Sequence, residues 1–446
     1  MYPKIRLTHK YRIFIFVSFV IAFFVLFPLI IFYTAGYRYD WKNNEIKKTG
    51  IISVDATPKT ADVFLNDIKV RSSLPLRLDN RSPGIYNIKI KESGYKTWEK
   101  DIKVESTKTT YIKNIHLIKE KLPIKILGRE IDFDQVQKLM FSPNGNYALM
   151  TEQEDKIYEI KLINLNQKTV NTLVRSELKT EPKLKWSQTE PFGLILTNKE
   201  EYNIQAFNAN TKKIIINTTS ATKIGLKDIK LKDNGIFPEL FFKSRNKIYK
   251  ISSNGEQEVV TVPTSTSAWY VNNTEDIYYY DPKNDNLAKK SSNLSWRIEE
   301  NLQTITEINQ NAIIATRGNK IFIYKLKRGK INQKNRISAS SITKINNPKR
   351  WIAWSPWQFW ELKPNGTTKL INRTGKNINT IQQLNNSNVL LLKTDEGLKT
   401  FNTHYYVKQD LFSTGQIKKV RVNKDRELIY IWGKIGTQTG LFELEY

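Results

Sequence analysis

Four tryptophans, Trp351, Trp354, Trp357 and Trp360, fall within ten residues in "RWIAWSPWQFWELKPNG". Indole rings stack on sugar faces and peptide planes and anchor interfaces. The stretch is therefore the first candidate for binding. Alternation limits it. Along a strand, residues three apart point to opposite faces, so Trp351 opposes Trp354 and Trp357 opposes Trp360. The four cannot line one groove. A ligand role fits best at Trp357, provided that it stands in a loop between strands. The competing role for the cluster is packing between sheets.

Other chemistry is sparse. The chain has no cysteine, which removes disulfides, zinc–thiolate sites and thiol nucleophiles. The three histidines, His9, His116 and His404, lie far apart and suggest no metal triad or acid–base pair. "DPKNDN", Asp281 to Asn286, has the start of a calcium loop, but Lys283 occupies a ligand position and the glycine is missing. A hairpin turn is the expectation there. No phosphate loop, GxSxG elbow or HExxH occurs. No catalytic, metal or cofactor residue is expected.

The elements that must position these residues are strands. Hydrophobics make up 39% of 446 residues and aromatics 11%. Tyr, Trp, Ile and Thr are abundant, which favours strand over helix. The length suggests two or three units. The net charge is +28, split as +6 over residues 1–50, +4 over 51–120 and +18 over 121–446. A nucleic-acid footprint would be more concentrated, so no specific nucleic-acid partner is expected. The excess is explained by over-use of Lys, Asn and Ile or by attraction to an anionic polymer or lipid surface. Basic hairpin residues Lys325, Lys327, Arg328 and Lys330 are read as solvated faces that can also line a ring's mouth.

Residues Ile13 to Tyr33 carry no charge. At 1.5 Å per residue they reach roughly 31 Å, the thickness of a hydrocarbon core. Lys4, Arg6, Lys10 and Arg12 precede the stretch, whereas Arg38, Asp40, Lys42 and Glu45 follow it in mixture. The positive-inside rule then leaves the N-terminus in the cytoplasm. Tyr33, Tyr37, Tyr39 and Trp41 form an interfacial belt. This predicts a cytoplasmic tip (1–12), a transmembrane helix kinked at Pro28 (13–36) and a linker (37–50). A cleaved signal peptide is the alternative.

From Ile51 the pattern has period two. Leu65-Asn66-Asp67 reads as a hairpin turn. Ser82-Pro83-Gly84 and Gly94 read as turns in which glycine supplies a positive φ. Tyr86, Ile88 and Ile90 share one strand face and Asn87, Lys89 and Lys91 the other. Trp98, Ile102 and Val104 continue a buried face, breached at Lys100. Six or seven short strands fit a small β-sandwich over 51–120. The stretch "ISVDATPKTADVFLND", Pro83-Gly84-Ile85-Tyr86 and Gly94-Tyr95-Lys96-Thr97-Trp98 resembles a PEGA domain. That resemblance implies a surface-exposed, non-catalytic sandwich of bacterial and archaeal envelope proteins, with no active-site residues.

Beyond Leu122-Pro123 a unit recurs about every 40 residues: an aromatic strand, a turn of Asn, Asp, Ser or Gly, then a basic strand. "IYEIKLINLNQKTVNTL", "YNIQAFNANTKKIIIN", "IYKISSNGEQEVVTV", "IYYYDPKNDNLAKKS", "IFIYKLKRGKINQKN" and "FWELKPNGTTKLIN" carry it. The period is that of propeller blades, and 121–446 holds seven or eight. Closure would place "GLFELEY" inside the last blade, with "LPIKILGRE" as its outer strand. Phe141-Ser142-Pro143-Asn144-Gly145-Asn146-Tyr147, and less fully Trp186-Ser187 and Trp354-Ser355-Pro356, resemble TolB-type or WD-like propellers. That resemblance implies a ligand- or partner-binding platform.

The expected fold class is therefore mainly β: a transmembrane helix, a PEGA-like sandwich and a propeller. The expected protein is a single-pass bacterial cell-membrane protein, its C-terminal domains extracellular. It touches lipid through the helix and displays the propeller as a scaffold for an envelope protein or cell-wall polymer. It is not expected to be an enzyme. Two alternatives stay open: a polysaccharide or peptide hydrolase with carboxylates at the ring's centre, and a binder of an anionic polymer.

Overall fold

The computed structural model describes the chain apart from residues 1–8, 41–43, 71–72, 128–130, 134, 188–190, 199, 221–223, 234–237, 253–254, 273, 347 and 386–387. Lys4, Arg6, Trp41 and Lys42, used above for topology, lie outside the described residues. The chain divides into two compact units, Met1–Glu120 and Lys121–Tyr446.

The first unit opens with α1 (His9–Thr34), which has no buried residue and runs on through Pro28. Twenty-six residues at 1.5 Å each give roughly 39 Å, so α1 is long and apolar enough to cross a membrane. It stops at Gly36, where φ is +83°, as a left-handed glycine closes a helix C-terminus. The stretch expected to be a linker is instead a hairpin of β1 (Tyr37–Asp40) and β2 (Glu45–Lys48). Arg38 explains the difference. Its guanidinium donates to the Tyr33 carbonyl at 2.7 Å and lies 3.6 Å over the Tyr33 ring. It thereby satisfies a helix-end acceptor and ties the hairpin to α1.

Seven strands follow: β3 (Gly50–Thr57), β4 (Asp62–Leu65), β5 (Ile68–Lys69), β6 (Leu76–Arg81), β7 (Gly84–Lys91), β8 (Trp98–Val104) and β9 (Thr109–His116). They form two sheets, β6-β3-β9 and β5-β4-β7-β8, with β3 and β9 parallel. Ile52, Val54, Ile88, Ile90, Trp98 and Ile112 are buried, so apolar alternate residues of both sheets supply the core. Asn66 and Asp67 both have positive φ, as a two-residue hairpin turn requires. Gly94 is left-handed as expected, at φ +77°. Gly84 is not: it opens β7 opposite Val104, and Asn80, with φ +58°, takes the left-handed position before it.

The second unit is a ring of eight four-stranded antiparallel sheets. Blades one to seven span 136–177, 183–220, 229–261, 268–297, 304–338, 341–373 and 378–412. In each, the four strands pair in chain order. Blade eight takes Gln416–Asn423, Leu428–Ile435 and Gln438–Glu445, and its fourth strand is β10 (Ile124–Ile126). Ile124 faces Glu443 and Ile126 faces Leu441. The two ends of the unit thus share a sheet, and ring closure leaves no blade without its outer strand. First strands of neighbouring blades touch, four with five, six with seven, seven with eight and eight with one. The first strand therefore stands innermost.

Cores lie between blades. Leu139, Met150, Tyr430 and Trp432 join blades one and eight. Tyr280, Trp296, Ile313 and Phe322 join four and five. Turn chemistry matches the recurring hairpins in most cases. The Asn164 and Asn208 side chains accept from backbone N–H groups two and three residues on. Two equivalences fail. "IYYYDPKNDN" is a second-to-third-strand hairpin, because blade four's outer hairpin comes later, after Lys289. Ser355-Pro356 also lies between second and third strands, whereas Ser142 and Ser187 lie between first and second.

Candidate functional site

The four tryptophans sit in blade six and do not share a surface. Trp351 and Trp354 occupy the second strand (Lys349–Ser355) and Trp360 the third (Gln358–Leu362). Trp351 is 1% exposed and packs, with Trp360 beside it, against Ile314, Ile321 and Ile323 of blade five. Trp354 faces the other way, onto Ile378, Ile381 and Leu390 of blade seven. Trp357 alone is open, 57% exposed at the hairpin tip. Its backbone oxygen accepts from the Thr374 N–H at 2.7 Å, which holds the tip against the next connection. Alternation put Trp351 and Trp354 into opposite seams, and the turn at Pro356-Trp357 left Trp357 available for stacking.

The Asp281 carboxylate is spent on donors of its own turn and of the connection that precedes blade four. It accepts from Ser265 at 2.5 Å, from the Lys283 N–H at 3.1 Å and from Asn284 at 2.6 Å. These donors hold it below the usual carboxylate range, the Ser265 hydroxyl most of all. Among the described residues, no three His, Asp or Glu side chains converge as a metal cage. His404 lies exposed in a turn of blade seven.

A second candidate emerges at the ring's centre. The eight innermost strands total 44 residues and carry nine basic residues: Lys138, Lys183, Lys185, Lys230, Lys232, Lys344, Lys418, Lys419 and Arg421. Their acidic residues are two, Asp233 and Glu307. An excess of seven in 44 is more than twice as dense as +28 in 446.

Like charges meet across blades here. Lys185 is half-buried and its Nζ donates to the Ile229 and Leu226 carbonyls, at 2.9 and 3.3 Å. Burial, and then the nearby Lys230, pull its pKa down to about 8. Lys230 is itself lowered by burial, with Asp228 opposing the shift. Its ammonium lies 5.6 Å from the centre of the Trp269 ring. Lys419 is lowered by burial and by Lys138. Glu307 is engaged by Lys344 at 3.2 Å. The inner wall can attract and hold oxyanions.

Sequence reasoning missed this wall. The lysines were visible, but nothing local marks the first strand of a repeat as the inner one. The available signal was "KLKW", "IKLKD" and "QIKKVRVN" at the starts of blades two, three and eight.

The PEGA domain family profile matches residues 49–120. The match covers β3 to β9 and leaves out α1 and the β1–β2 hairpin. The two sheets described above are the sandwich of this domain, and the propeller follows it directly. No curated protein matches the chain in sequence. Solved structures similar to it include two whose descriptions name a propeller. The Dos1 propeller is 11% identical, with a TM-score of 0.39 over 70% of this chain and 78% of its own. The β-propeller domain of the Trilobed protease from Pyrococcus furiosus, described as having an open velcro topology, is 12% identical, with a TM-score of 0.37 over 82% and 97%. The dihydro-haem d1 dehydrogenase NirN is 11% identical, with a TM-score of 0.42 over 61% and 65%. The strand pairings themselves, including the closed β10 seam, define the ring.

Proposed function

We propose that the chain is a membrane-tethered scaffold that displays a cationic propeller outside the cell and binds an anionic polymer of the envelope there. Positive excess on the innermost strands carries this reading. Charge on outer strands has a sufficient explanation in solubility. On an inner wall it costs desolvation, and a polyanion offsets that cost. The anchor reading draws on α1 and on the basic residues before the apolar stretch. The PEGA domain then serves as a spacer. A hydrolase would use carboxylates converging on the axis; Glu307 is held by Lys344.

Poly(glycerol phosphate) tests the binding. Full-length protein in detergent micelles is expected to lose about tenfold or more in affinity as salt rises from 50 to 500 mM, through counter-ion screening. The variant K138E/K344E/K419E is expected to bind more weakly still. Salt-independent retention, or unchanged binding by the variant, would overturn the reading. Orientation has its own test. Because the chain has no cysteine, a lone W357C can be labelled on intact cells with a membrane-impermeant maleimide. Labelling only after lysis would place the propeller inside.

A further inference from the structure

A second basic surface lies away from the axis, in the seam between blades four and five. Blade five's third and fourth strands are long, Lys320–Lys327 and Lys330–Ser338. Their counterparts in blade four are short, Asn286–Lys289 and Ser295–Arg297. The longer blade thus overhangs the shorter. Pairing places Phe322 beside Arg336 and Tyr324 beside Lys334, on the face turned to blade four. On that face a cavity of about 680 Å³ opens, lined by blade five and by Glu300 and Gln303 of the connection leading into it, with Arg317, Lys320, Lys334 and Arg336 around it and Phe322 at its base. Glu300 is its one carboxylate. That group is engaged by the Tyr324 hydroxyl and by Lys334. Among the described residues, Arg317, Lys320 and Arg336 make no ion pair.

We infer that this seam is a dedicated subsite for a chain bearing repeated oxyanions, phosphodiester or carboxylate. The inference deepens the scaffold reading and rests on it. Three reasons support it. First, two guanidinium groups present the planar fork that pairs with phosphate and carboxylate oxygens. Second, the cavity lies within the size range of ligand sites, roughly 300–1,000 Å³, and exceeds what one small anion fills. It therefore suits one or two units of a polymer. Third, Glu300 is already engaged, so it competes little for Arg317 and Arg336. A stretch of chain can lie in the seam with its anionic groups against the arginines and its backbone over Phe322.

The test compares charge-matched double variants of the full-length protein, R317Q/R336Q in the seam and K327Q/R328Q at the far end of the same blade. All four side chains are exposed, so the fold should survive, which an unchanged melting temperature verifies. Probes are poly(glycerol phosphate) and polygalacturonate of equal length. The seam variant is expected to bind at least one of them about tenfold more weakly, charge-assisted pairs being the strong ones. The far-end variant should change affinity by less than about twofold. The probe affected tells phosphodiester from carboxylate. Equal losses in both variants would mean diffuse attraction and overturn the subsite. So would an unaffected seam variant while K138E/K344E/K419E fails, and in that case the scaffold reading stands. If wild type binds neither polymer, both readings fall.

Discussion

Lys185 offers a sharp test of the inner wall. Its pKa is lowered from the ordinary 10.5 to about 8 by burial and by Lys230. A shift of that size means that holding the charge in the folded state costs about 3 kcal/mol at neutral pH. The unfolded chain keeps this proton up to pH 10.5, whereas the folded chain releases it from about pH 8. Between those values the unfolded state binds more protons, so stability rises with pH. From pH 7 to 9.5 the gain is about 2 kcal/mol. Tyrosines and other lysines titrate in the same range, so the observable is a difference. Wild type and Lys185→Met are unfolded in guanidinium at both pH values, followed by tryptophan fluorescence. Wild type should gain about 2 kcal/mol relative to the variant as pH rises. A polyanion bound at the axis should shrink that gain, because a nearby negative charge favours the ammonium form. A difference that does not change with pH would refute the argument that Lys185 is buried among like charges.

Other substitutions probe the packing. Trp351→Ala empties a seam site and should cost about 3–5 kcal/mol, read as a lower melting temperature. Trp357→Ala should stay within about 0.5 kcal/mol and affect only binding of a stacking ligand. Equal costs would contradict the buried seam position of Trp351 and the open hairpin-tip position of Trp357. For ring closure, Ile126→Ala removes a side chain 3% exposed and should cost about 2–5 kcal/mol. Ile124→Ala, on the same short strand but 66% exposed, should be nearly silent in the same melt. Silence in both would mean that β10 does not hold the seam.

Some of this protein was written locally in its sequence. The uncharged run from Ile13 to Tyr33 needs no partner to be helical and apolar, and α1 contains it, beginning four residues earlier at His9. Asn66-Asp67 and Gly94 were legible as turns because left-handed backbone selects those residue types. The opposed faces of Trp351 and Trp354 followed from strand alternation alone, and so did the facing of Ile88 and Ile90, whereas Trp357 stands in a turn where alternation does not apply. The pairing of "LPIKILGRE" with the last blade was legible because a ring must pair its ends. That the stretch expected as a linker folds as a hairpin was not legible, because Arg38 finds the Tyr33 carbonyl, a contact between separate elements.

What only the tertiary structure decided concerns position around the ring. A period of two identifies a strand but not whether it is first or fourth from the axis. Blades are joined through side-chain packing and not through backbone ladders, so local patterns leave their number and order open. The count of eight, the lysine wall on the first strands and the overhang that exposes Arg317 and Arg336 all arise there. Each depends on which strand of one repeat meets which strand of the next. That is settled by packing a closed ring and by nothing within a single repeat.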